Sequence, residues 1–138
     1  GIACLSVRGR PVALLAVAHF ESGRPRVDRL VAAVDCGRQI NPDMILQQIE
    51  GGLLFGMAAA LGGATGFAKG EPTARHFGHL RLPLLADTPD ITVELIRSEA
   101  EPGGVSELAV PPVAPAIANA LQAAAGFRLR QLPFTAPA

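Results

Sequence analysis

The sequence predicts an α+β fold in which a mixed or antiparallel sheet is packed on one side by two helices. Three observations carry that expectation: two apolar stretches flanking a turn-forming cluster, a capped helix start at Asn41-Pro42-Asp43, and an Ala-rich helix closed by Gly126. The chain has 138 residues, of which 49% are apolar, enough to bury one core, so a single domain over residues 1–138 is expected.

Residues 11–20 and 26–36 are rich in Val, Leu and Ala, and Glu21-Ser22-Gly23-Arg24-Pro25 between them favours a turn. The pair reads as a β-hairpin. Residues 31–34 are continuously apolar, which predicts burial on both faces toward the end of the second strand.

At the next element, Asn41 can cap free backbone N–H groups, Pro42 suits the first helical position, and Asp43 sets negative charge against the positive helix end. A helix is expected over residues 42–61, ending at Gly62-Gly63, with Ile45, Ile49, Gly52, Leu53, Gly56 and Ala60 at three- and four-residue spacing. Gly51, Gly52 and Gly56 inside that helix each cost about 1 kcal/mol relative to Ala. Something must approach the bare backbone closely. A packed neighbouring element and a bound ligand are both open explanations.

Lys69-Gly70 suggests a hairpin turn between two short strands within residues 65–77, and two prolines make residues 80–89 irregular. Ile91, Val93 and Leu95 alternate with polar residues, giving a strand over residues 91–96 with one apolar face. Pro102-Gly103-Gly104 opens a loop ending at Pro111-Pro112; the Ala-rich helix then spans residues 114–125, and residues 128–133 read as a short edge strand.

Composition narrows the partners. Twelve basic residues balance twelve acidic ones, so no net field favours nucleic acid or an anionic membrane. All six aromatic residues are Phe, too few to build the stacking platforms of a single-strand binder. The longest apolar runs, such as residues 12–18, fall short of the ~20 residues that cross a bilayer, and no transmembrane segment is expected. Gly1 in place of an initiator Met suggests a cut or processed start, and nothing decides between cytoplasm and periplasm. Cys4 and Cys36 read as small buried or half-buried thiols, and His19, His76 and His79 lack metal-ligand spacing, so no metal-ligating residue is expected.

One carboxylate stands out. In Gly103-Gly104-Val105-Ser106-Glu107-Leu108-Ala109-Val110-Pro111-Pro112, Glu107 sits among apolar residues in a loop that leads into a helix. Partial burial beside Val105, Leu108 and Val110 would raise its pKa and suit it to proton transfer near neutrality. The alternative is a surface glutamate near a helix start. Gln48, beside the helix glycines, can present an amide to a ligand on that face, while Glu50 points elsewhere.

Three blocks then carry a resemblance: Ala33-Val34-Asp35-Cys36-Gly37-Arg38-Gln39-Ile40-Asn41-Pro42-Asp43 with Gln48-Ile49-Glu50-Gly51-Gly52-Leu53-Leu54-Phe55-Gly56; Pro102 to Glu107; and Pro111 onward through Gly126-Phe127-Arg128-Leu129-Arg130-Gln131-Leu132-Pro133. In this order they resemble the molybdopterin-binding large (beta) subunits of the xanthine oxidase, isoquinoline 1-oxidoreductase and aldehyde oxidoreductase family. The resemblance implies that the chain is the C-terminal part of the molybdenum-cofactor-binding region of a subunit several times longer. It implies a hydroxylase that oxidises an aldehyde or N-heterocycle with oxygen taken from water. Glu107 matches the family's general base, and Gln48, Gly51, Gly52 and Ser106 would lie beside the cofactor.

That cofactor would be molybdenum-molybdopterin, in the cytosine dinucleotide form, held largely by residues outside this chain. Iron–sulfur clusters on a small subunit would carry electrons away, and the partners would be that subunit, the remainder of the large subunit and a small-molecule substrate. Alone, the chain would be catalytically silent. Ser106 stands where the family usually has Gly, and Leu108-Ala109 where it often has Pro-Gly. Gly78, Leu80 and Leu84 replace the aromatic and charged residues common in that stretch of the family, and the Ser106 and Leu80 departures favour the alternative reading, a non-catalytic remnant or interaction module that keeps the fold.

Overall fold

The computed structural model describes residues 1–136. Three antiparallel strands, β1 (Ile2–Val7), β2 (Arg10–Glu21) and β3 (Arg24–Val34), form a meander, and β6 (Asp90–Leu95) joins the sheet beside β3 in parallel, giving the order β1-β2-β3-β6. The sheet is therefore mixed. Between β3 and β6 run α1 (Pro42–Leu61), a small hairpin of β4 (Phe67–Ala68) and β5 (Glu71–Pro72), and two single 3-10 turns; α2 (Val113–Ala125) follows β6.

Strand periodicity explains the core. Val12, Leu14, Ala16 and Ala18 of β2 point to one face and are buried, with Leu30, Ala32 and Val34 of β3 beside them. α2 lies across β1 and β2 on that face, and α1 packs on α2 and β6. Ile49, Leu53 and Met57 of α1 meet Ile117 and Leu121 of α2 in the same core. The other face of the sheet stays open, so Val31 and Ala33 are only half-buried, against the expectation of burial on both faces.

The two hairpins of the meander turn through Arg8-Gly9 and Ser22-Gly23, each pair at positive φ, the geometry that matches strand twist. The turn at Lys69-Gly70 is of the same kind, as the sequence predicts. Asn41 caps α1, its side-chain oxygen accepting from the Met44 N–H at 3.2 Å, and Gly126, at φ 79°, closes α2 by donating to the Gln122 carbonyl at 2.8 Å.

α1 is long and apolar enough by length and composition to cross a bilayer, which the reading of continuous apolar runs overlooked because polar residues interrupt it. In this fold it is a core helix, burying Ile49, Leu53, Met57 and Ala60 and exposing Gln47, Gln48 and Glu50. A second correction concerns residues 128–133, which form no strand. Arg128 instead donates to the side chains of Asn119 and Gln122 on α2, and the Phe134 N–H donates to the Ala60 carbonyl at 2.8 Å, so this segment folds back over the helices.

Candidate functional site

The loop after β6 is fixed from below. The Arg38 N–H donates to the Ala100 carbonyl and the Gly103 N–H to the Cys36 carbonyl, each at 2.8 Å, and the Arg10 guanidinium donates to the Glu101 carbonyl. Gly37 sits at φ 79°, and a Cβ there would lie 2.2 Å from the Glu101 carbonyl oxygen, so no other residue fits beneath the loop. Farther on, Val105, Leu108 and Ala109 turn into the core, and the Val110 N–H closes a turn onto the Glu107 carbonyl at 3.1 Å. Ser106 and Glu107 are left outside.

This placement brings every sequence-predicted site residue together. Gln48, Gly51 and Gly52 lie on one face of α1 and, with Ser106 and Glu107 from the loop, line a groove of about 500 Å³. Glu50, as expected, is not on its wall. Phe55, Val110 and Pro111 complete the groove and were not among the predicted site residues. Phe55 was legible in principle, because it follows Gln48 by two helical turns on the same face.

The helix glycines divide between the two explanations. A Cβ on Gly52 would sit 3.3 Å from the Ala109 Cβ, and one on Gly56 only 2.7 Å from the Val110 carbonyl oxygen. These two glycines admit the loop. Gly51 is different: nothing lies within 4 Å of where its Cβ would be, and that space is the groove.

The environment of Glu107 corrects the expectation drawn from its sequence neighbours. The apolar residues around it face inward while its own side chain is exposed, so sequence proximity to Val105 and Leu108 gives it no dry pocket within this chain. Its pKa is lowered, not raised. The Ser106 hydroxyl, which donates to Oε2, is the main cause, helped by the backbone N–H of Glu107 and, more weakly, by Arg8 against a small opposing effect of burial.

Behind the loop is a second cavity of about 200 Å³, walled by Arg8, Arg10, Gly103 and Glu107. A larger concavity, about 1110 Å³, lies elsewhere, between Arg24, Leu61, Arg81 and Phe134, and is lined by none of the predicted site residues. Size does not decide the matter: the loop carboxylate, the amide and the bare backbone converge in the smaller groove. Among the described residues no three His, Cys, Asp or Glu side chains cluster as a metal site. His19 bonds Asp28 at 2.8 Å, His76 stacks on His79, Cys36 is buried, and Cys4, contrary to expectation, is exposed on the edge strand.

Comparison with known proteins bears on the family and the fold. Residues 14–89 match the molybdopterin cofactor-binding domain family. Over 135 residues the chain is 33% identical to the isoquinoline 1-oxidoreductase subunit beta of Brevundimonas diminuta, covering 96% of this chain but 17% of that protein. It is 34% identical to the aldehyde oxidoreductase molybdenum-binding subunit of Escherichia coli K12, covering 85% of this chain and again 17% of the relative. Among solved structures, a Cu,Mo-CO dehydrogenase superposes with TM-score 0.76 at 25% identity, covering 85% of this chain and 16% of that one. The aldehyde oxidoreductase of Desulfovibrio gigas shares the fold, with TM-score 0.74 at 23% identity over 90% of this chain and 14% of that one.

Proposed function

The chain belongs to the molybdopterin cofactor-binding domain family, and on that premise we propose that it forms one wall of the active site of a molybdenum hydroxylase that oxidises an aldehyde or an N-heterocycle with oxygen from water. What supports this reading is the single groove shared by Gln48, Gly51, Gly52, Ser106 and Glu107. The chain spans 17% of the length of these two relatives, which supports an enclosure completed by other polypeptide and a chain that is silent on its own.

The groove fits a flat polar heterocycle such as a pterin. Gly51 leaves space that a Cβ would fill, and the Gln48 amide offers both a donor and an acceptor to ring nitrogens and carbonyls. This wall gives the cofactor hydrogen bonds and room. The molybdenum cofactor, proposed in its cytosine dinucleotide form, would supply a two-electron oxidising centre, with iron–sulfur clusters on a partner subunit as the electron acceptor.

The chain's own residues have three tasks. Gln48 and the bare α1 backbone orient the cofactor; Phe55, Val110 and Pro111 keep water from the apolar side of the groove. Glu107, ionised at neutral pH, takes up the proton released as the oxygen nucleophile adds to substrate. In the assembled enzyme, desolvation by the surrounding polypeptide would push the carboxyl upward toward the working range of a base.

The test is Glu107→Gln in the cofactor-loaded enzyme. Turnover should fall by about 10²-fold or more with molybdenum content unchanged. Full turnover in that variant would remove Glu107 from the mechanism. A second reading, a non-catalytic module that keeps the fold, is favoured by the exposure of Glu107, and it predicts a folded product without molybdenum.

A further inference from the structure

Glu107 stands between two spaces of opposite character. In front is the groove it shares with Ser106 and Gln48; behind is the smaller cavity it shares with Arg8 and Arg10. Ser106 lines only the front. Coulomb attraction alone would turn an ionised carboxylate toward the two guanidinium groups. Yet neither is ion-paired with it: Arg10 is occupied by the Glu101 carbonyl, and the Glu107 carboxylate takes the Ser106 hydroxyl at Oε2.

On the reading of Glu107 as the base, we propose that Ser106 is its positioning residue, a hydroxyl that ties the carboxylate to the groove and keeps it from turning back onto Arg8. Because the side chains are adjacent in sequence, the bond needs no long-range closure, and it holds one carboxylate oxygen while the other remains to accept a proton. The same bond is the chief reason the carboxyl stays ionised at a lower pH than usual. Besides Glu107, the charged groups on the walls of the two cavities are Arg8, from the β1–β2 turn, and Arg10, which opens β2; the polar side chain that α1 brings to the groove is the neutral Gln48.

The test follows the Arg8 Nε resonance by NMR while the Glu107 carboxyl is titrated in the 138-residue chain, with Glu107→Gln identifying that titration. In the natural sequence and in Ser106→Thr, which keeps the hydroxyl, the Arg8 signal should stay nearly flat. In Ser106→Ala it should move with the carboxyl titration, as the two charges come together. Equal movement in the natural chain and in Ser106→Ala overturns the proposal, as does failure of Ser106→Thr to restore the flat response.

In the loaded enzyme Ser106→Ala should lower kcat about tenfold at unchanged KM and molybdenum content, as expected for one hydrogen bond to a charged group. An unchanged kcat also overturns the proposal. The two readings fail separately. If Glu107→Gln keeps full turnover, the base assignment falls whatever Arg8 does; if it abolishes turnover but Arg8 is indifferent to Ser106, only the positioning role falls.

Discussion

Gly56 of α1 lies directly under Val110 of the site loop, so close that a Cβ on Gly56 would sit 2.7 Å from the Val110 carbonyl oxygen and 2.8 Å from the Val113 Cγ2. The carbonyl is backbone and cannot step aside without moving the turn that carries Glu107. Gly56→Ala should therefore destabilise the chain by about 1–3 kcal/mol despite the better helix propensity of Ala. A urea-unfolding midpoint lowered without a change in slope is the expected result.

Closer to the N-terminus of the same helix the sign reverses. Gly51 has open space where Gly56 has none, so Gly51→Ala should stabilise the isolated chain by up to about 1 kcal/mol. In the enzyme the same methyl group intrudes on the groove. Molybdenum content, measured by elemental analysis, should drop while thermal stability of the apo-protein rises.

These glycines show where the sequence was legible and where it was not. Their helix, its Asn41 cap and the β2–β3 hairpin follow from local rules, and the structure has them close to where those rules put them. Which glycine meets protein and which meets open space depends on a loop some fifty residues away, as Gly56 against Val110 shows, and no local signal encodes that. Glu107 teaches the same lesson, since its apolar neighbours bury themselves and leave it exposed. β1 was not among the expected strands, although its turn, Arg8-Gly9, has the same positive-φ geometry as Ser22-Gly23 and Lys69-Gly70. Residues 128–133 have the apolar and basic alternation of a strand, but Arg128 finds its partners on α2.

The low pKa of Glu107 gives a pH dependence with a definite sign. Because the folded-state value lies below the unfolded one, the group contributes stability that is present above the unfolded carboxyl pKa and lost as pH falls through the folded one. The difference in unfolding free energy between the natural chain and Glu107→Gln should thus shrink on acidification through the carboxylate range. A difference that stays constant there would argue against the Ser106 bond in solution.

Cysteine chemistry checks the burial pattern. Cys36 is 2% exposed, and burial raises its thiol pKa, whereas Cys4 is exposed on β1. A thiol-specific alkylating reagent should modify Cys4 rapidly in the folded chain and reach Cys36 only on unfolding. Mass spectrometry of the intact protein reads the two stages directly.

The helix cap offers a simpler check of local structure. Asn41→Ala removes the acceptor for the Met44 N–H and should cost about 1 kcal/mol, with the groove and its residues unaffected.

On the proposed function, the face of α1 bearing Gln48 and Gly51 looks onto the cofactor together with Glu107. Anomalous X-ray scattering at the molybdenum edge, from crystals of the loaded enzyme, tests it without reference to activity. A molybdenum peak should face the groove between α1 and the Ser106-Glu107 turn. A peak elsewhere, for instance against the larger concavity beside Arg24 and Arg81, would contradict it.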